Sequence, residues 1–142
     1  MLRFIERITD PYVSCRRFHF IILVFRFAVS AQLFIVHGLK KIGVGVEHTE
    51  LIPNPFHLPE TVNSFFAITA NVVCPLFIIL GCFTRLAIVP VLCVTLTGYF
   101  VVHACDPLSV RDIPFMYSAS FVLLIVLGPG NYSVDRFIRS KL

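Results

Sequence analysis

Apolar positions fall into four long runs separated by short polar breaks. The first extends from about Phe18 to Val36 and is interrupted only by Arg26; the others cover about 62–80, 86–104 and 113–127. A helix that crosses a bilayer needs about 20 apolar residues, range about 17–25. The pattern therefore predicts an all-α protein, a four-helix transmembrane bundle in one domain. The fourth run is short, which places Asp112 at the interface or draws it inward against neighbouring helices. Arg26 also breaks the apolar stretch that a cleaved signal would need, so the first run is expected to stay as a helix.

The breaks carry helix punctuation. In "LGCFTRL", Gly81 suits a helix C-terminus and Thr84 can cap the next helix, so runs two and three should form an antiparallel hairpin. "GPG" at 128–130 stops run four, because Pro cannot continue a helix and Gly tolerates the reversal. Pro75 and Pro90 lie inside runs two and three, where packed neighbours can satisfy the freed carbonyls. The longest break, "EHTELIPNPFHLPE", is expected to fold back over one mouth of the bundle. Leu2, Ile5 and Ile8 repeat at helical spacing opposite charges, and "VDRFIRSKL" alternates apolar and basic residues. Both ends can lie along a membrane surface.

Composition agrees with a membrane setting. Hydrophobic residues make up 57% and charged residues 14% of the chain, against about a quarter charged in soluble domains. A unit of this size cannot hide so much apolar surface without lipid. The net charge of +4 comes with no basic run interleaved with aromatics, so nucleic acid is not an expected partner. Five cysteines without a C-x-x-C spacing predict neither a disulfide framework nor a metal site; they read as small apolar fillers.

Charge also sets orientation. Arg3, Arg7, Arg16, Arg17, Arg85, Arg136, Arg139 and Lys141 fall on one side of a four-span arrangement, and Lys40, Lys41 and Arg111 on the other. The positive-inside bias then puts both termini in the cytoplasm. Glu47, Glu50, Glu60, Asp106 and Asp112 make the opposite face acidic.

Candidate chemistry lies on and above the first run. Arg26, Ser30, Leu33 and His37 follow i, i+4, i+7, i+11 and share one helical stripe. A charge inside a span usually faces the interior with a partner. Counted by depth, Asn71 of run two should lie beside Arg26. His37, His103, Asp112 and Lys40 or Lys41 should gather at the acidic mouth, with Tyr99 and Tyr117 just below. Other readings stand beside this one: Arg26 can tie helices together through carbonyls, each His can be a helix-end residue, and Asp112 can simply favour a helix start.

The succession of an intramembrane Arg26, "HGLKK", "LGCFTRLA", a His closing run three and "GPGNYSVD" resembles the DoxX family of small bacterial membrane proteins. The resemblance runs from about Arg26 to Asp135 and implies a four-helix bundle in the bacterial inner membrane. Arg26, His37, Gly38, Lys40, Gly81, Thr84, Arg85, His103, Gly128, Pro129, Gly130 and Asp135 match its pattern, with Asp112 where Glu is usual. Asn71 departs from it, since the family has a Glu there. If that Glu balances the span-one Arg, Arg26 has lost a charged partner. Family members are associated with quinone-linked sulfur oxidation and membrane redox complexes.

Three functions follow as expectations. The first is an accessory or anchor subunit of a quinone-linked redox system, beside other membrane redox proteins. Donors from His37, His103 and Tyr99 would hold a quinone carbonyl in an apolar pocket, and Lys40 would favour its negatively charged reduced form. The second is a b-type haem carried between His37 and His103. The third is a structural or assembly subunit, or a small permease, without redox chemistry; a permease of four short spans would need to form a homo-oligomer. No P-loop, dinucleotide fingerprint, G-x-S-x-G or H-E-x-x-H marks a self-contained enzyme.

Overall fold

In a computed structural model, residues 15–140 are described, and all regular structure among them is helical. Four helices are long and apolar enough to cross a membrane: α1 (Arg16–Lys41), α2 (Glu60–Leu80), α3 (Thr84–Val102) and α4 (Leu108–Leu127). A short α5 follows (Val134–Arg139). The interfacial segment expected around Leu2–Ile8 lies outside the described residues. The spans match the apolar runs, with two corrections. The 26 residues of α1 extend it to about 39 Å, because Lys40 and Lys41 continue the helix. Likewise α4 starts at Leu108, after Pro107 with its ψ of 150°, so Asp112 lies within the helix and is exposed. That fourth span reaches the usual length, and the mismatch expected for it disappears.

The helices run up and down. The three-residue turn 81–83 joins α2 to α3, and α1 packs on α2, α2 on α3, α3 on α4 and α4 on α1. Ile22, Leu33, Ile78, Ile88, Val91, Phe121 and Leu124 form the common core. Much of the remaining large apolar surface faces outward, for example Phe20, Phe65, Leu86 and Val126. Apolar exposure on that scale is a lipid-facing surface.

One end of the bundle is tied by side chains that reach backbone. Arg26 is 1% exposed and donates to the carbonyls of Pro129 (2.6 Å), Tyr132 (3.0 Å) and Ile79 (3.3 Å). A helical side chain leans toward its own N-terminus, and that lean brings the guanidinium down to the turn end rather than to mid-depth. Asp135 accepts from the amides of Phe83 (2.7 Å) and Thr84 (3.0 Å) and from the Thr84 hydroxyl (3.0 Å). Its own amide donates to Gly81 O at 2.9 Å. Asp135 thus caps α3 from across the chain. It also holds Phe83 at φ 47°, a left-handed conformation that side chains normally avoid. Gly81, at φ 73°, leaves no room for a Cβ beside the Arg26 guanidinium.

Three of the spans change winding on the way to the other end. Phe34–Gly38 in α1, Thr69–Val73 in α2 and Gly98–Val102 in α3 are π-helical turns. Such turns insert one extra residue, widen the helix and frequently accompany functional sites. At Gly38 a Cβ would collide with the Asn71 carbonyl oxygen, so the π turns of α1 and α2 meet with only a hydrogen atom between them.

Candidate functional site

Around the π turns the helices enclose a cavity of about 550 Å³. His37, Asn71, His103 and Tyr117 line it, as do Lys41 and Glu50 at the mouth. The rest of the wall is largely apolar, from Leu33, Ala67, Val94, Val102, Ile113 and others. The two rings deepest in the polar part meet edge to face, His37 and Tyr117, with centroids 5.5 Å apart. Tyr117 stacks in turn toward Phe121 of the core at 6.5 Å. These contacts fix both rings at the lower wall of the cavity.

His103 follows the π turn of α3, where its Nδ1 lies 2.7 Å from an Asp106 carboxylate oxygen. That contact orients the ring and leaves Nε2 for another partner. Asn71 is buried and donates to Ala67 O at 2.8 Å. The "ELIPNPFHLP" segment covers the mouth, as its prolines imply. Lys41 Nζ lies 3.4 Å from Glu50 and 3.5 Å from His37 O. Asn63 of α2 donates to Pro53 O at 3.1 Å, and Asn54 closes a turn with Leu58.

Other residues singled out in the sequence lie elsewhere. Arg26 is in the knot at the opposite end. The expected pairing of Asn71 with Arg26 does not form: Asn71 lies eight residues, about 12 Å of helix, beyond Ile79, whose carbonyl Arg26 reaches. Position 71 belongs to the cavity, and the charge nearest Arg26 in kind is Asp135, on the same knot. Lys40 is exposed, and Lys41 takes the place at the mouth, because the π turn rotates the end of α1. Tyr99 turns away and carries the Arg111 guanidinium over its ring at 4.4 Å. Asp112 points outward. Sequence reasoning did not single out Thr95 and Ser118, which line or adjoin the cavity and join α3 to α4 through a 2.9 Å hydroxyl bond. Their depth on facing helices was the available signal.

Among the described residues no group of three or more His, Cys, Asp or Glu is placed to hold a metal ion. The cavity's chemistry is that of hydrogen-bond donors set into an apolar wall. The DoxX family profile matches residues 21–104. The chain belongs to the DoxX family. An uncharacterized protein of Haemophilus influenzae is 26% identical over 126 residues, covering 83% of each chain. No solved structure matches. This DoxX-family chain is thus a multi-pass membrane protein. Of the residues that carried the resemblance in the sequence, Arg26, Gly81, Thr84 and Asp135 build the knot, whereas His37 and His103 line the cavity.

Proposed function

We propose that this DoxX-family protein binds a quinone-type head group in the cavity around its π turns and serves a membrane redox system as an accessory subunit. The orientation proposed with it is cytoplasmic for the knot and both termini, in a bacterial inner membrane, so that the cavity opens toward the non-cytoplasmic face. The observation that carries the reading is the cavity itself. Its volume suits a small ring ligand, its walls are largely apolar, and His37 of α1, Tyr117 of α4 and His103 just past α3 supply polar groups. A flat dicarbonyl ring needs donors at opposite edges and apolar contact on its faces. Lys41 adds a cation at the mouth that favours a reduced, negatively charged head group.

Titrating the purified protein with a quinone, by quenching of tyrosine fluorescence, tests this directly. Saturable binding is expected, together with quinone in the organic extract of the native preparation. His37→Ala should weaken binding about tenfold, the equivalent of ~1.4 kcal/mol, with the thermal transition unchanged. Lost stability without lost binding would make His37 a packing residue. Absence of both co-extracted and titratable quinone would overturn the proposal. The haem alternative has one observation in its favour, two histidines on one cavity, and a Soret band in the same preparation would transfer the site to it.

A further inference from the structure

The cavity has a second boundary besides the loop-covered mouth. In its lower half α2 packs on α1 and α3: Cys74–Leu80 touches both, and so does the π turn Thr69–Val73. Beyond that turn Glu60–Ile68 makes few close backbone contacts with the other helices. The cavity occupies the space this leaves, between Val62, Phe66 and Ala67 of α2 and Cys93, Val94 and Thr97 of α3. Cavity-lining residues at the gap are also members of the outer apolar stripes. Val62 and Phe66 are 52% and 44% exposed and continue the α2 stripe through Val73, Phe77 and Leu80. Cys93 is exposed and lines the cavity, within the α3 stripe of Leu86, Val89, Leu96 and Phe100. Cys93 is nine residues into α3, about 13 Å along it, near the middle of a hydrocarbon core about 30 Å thick. A gap at that depth opens onto acyl chains and not onto water.

We infer that the ligand of this cavity enters sideways from the bilayer, between α2 and α3, and carries an apolar tail that leaves through the gap across Phe66 and Cys93. The inference rests on the head-group site proposed above and adds the class of molecule: a tailed, lipid-soluble amphiphile whose polar ring meets His37 and Tyr117. Polar and apolar walls are arranged in the order such a molecule needs. The donors His37, Tyr117 and Lys41 lie inward and toward the mouth, and the lining residues most exposed to lipid, Val62 and Phe66, are apolar. The π turn in α2 marks the boundary, since it is the point beyond which that helix makes few close backbone contacts with its neighbours.

Two measurements on the full chain in vesicles test the inference. In the first, a quinone with a long isoprenoid tail is compared with the tail-less 2,3-dimethoxy-5-methyl-benzoquinone. The tailed form is expected to bind at least tenfold more tightly, after correction for partitioning. Cys93→Trp, which fills the gap, is expected to lower binding of the tailed form about tenfold more than that of the tail-less ring. Equal loss of both, or loss of neither, overturns the sideways route. The second measurement needs no quinone: phospholipid whose acyl chain bears a diazirine is photolysed and the adducts are mapped. Adducts on Ala67 and Thr95, buried wall residues, are expected in the unaltered protein and should vanish in Cys93→Trp. Their absence from the unaltered protein overturns the gap. Adducts on those walls without binding of either quinone would keep the gap and overturn the head-group reading.

Discussion

Arg26 illustrates how one side chain can hold a bundle end together. Burying a guanidinium is costly unless its donors are satisfied; three carbonyls from α2 and the Gly-Pro-Gly loop take both terminal nitrogens, and Nε is left without a partner. A planar fork can address several acceptors at fixed angles, whereas a lysine ammonium on a flexible stem cannot. Hydrogen bonds to a charged group contribute about 1.5–3 kcal/mol each, and they share one side chain, so their loss is not additive. Arg26→Ala is expected to destabilise the protein by about 3 kcal/mol or more, and Arg26→Lys to recover only part of that. A thermal melt in detergent, followed by size-exclusion of the heated sample, measures both. An Arg26→Lys variant as stable as the unaltered protein would show that charge alone, and not the fork, does the work. Ligand binding by whatever fraction stays folded should be normal, because Arg26 is at the end remote from the cavity.

At the scale of helices, the π turns decide which residues reach the cavity. Gly38 makes the point most sharply. Its φ of −72° is ordinary helix, so its role is not conformational freedom. The reason for glycine is the Asn71 carbonyl, which a Cβ would strike. Gly38→Ala must push α1 and α2 apart where their π turns meet. The expected result is a destabilisation of about 1–3 kcal/mol, as for other overpacked contacts, with weaker ligand binding because His37 and Asn71 move with their helices. Gly98→Ala is the matched control, since its nearest contact would be an ordinary 3.6 Å to Pro114; equal effects from the two would discard the steric account. The same turns explain what the sequence revealed and what it hid. Hydropathy finds the spans, because lipid demands long apolar helices. The i, i+4, i+7 stripe of Arg26, Ser30 and Leu33 is buried throughout, as regular α winding requires. Beyond Leu33 the winding changes: His37 still lines the cavity, but past the π turn a count at 3.6 residues per turn no longer reports direction. The choice of Lys41 over Lys40 at the mouth, which the sequence left open, and Tyr99 turned toward Arg111 lie at or beyond such turns. Arg26 and Asn71 were matched by backbone depth, which ignores how far a long side chain travels back along its helix.

On the scale of the whole molecule, the two ends differ in chemistry, and that asymmetry has a measurable consequence. The knot end carries Arg16, Arg17, Arg85 and Arg136, with Asp135 engaged in capping. The cavity end carries Glu47, Glu50, Glu60, Asp106 and Asp112 beside Lys40, Lys41 and Arg111. An insertion machinery that retains Lys- and Arg-rich segments inside would leave the knot in the cytoplasm and the cavity mouth outside. Native thiols report on this without engineering a tag. Cys82 lies in the α2–α3 turn at the knot end, and Cys105 is exposed just beyond α3 at the cavity end. A membrane-impermeant maleimide added to intact spheroplasts should modify Cys105 and spare Cys82, and permeabilisation should open Cys82 to the reagent; peptide mapping distinguishes them. The reverse order would invert the protein in the membrane. The bundle, the knot and the gap between α2 and α3 would survive that inversion, because none depends on which leaflet is cytoplasmic. The cavity mouth would then face the cytoplasm, and any redox partner that uses the mouth would have to dock from that side.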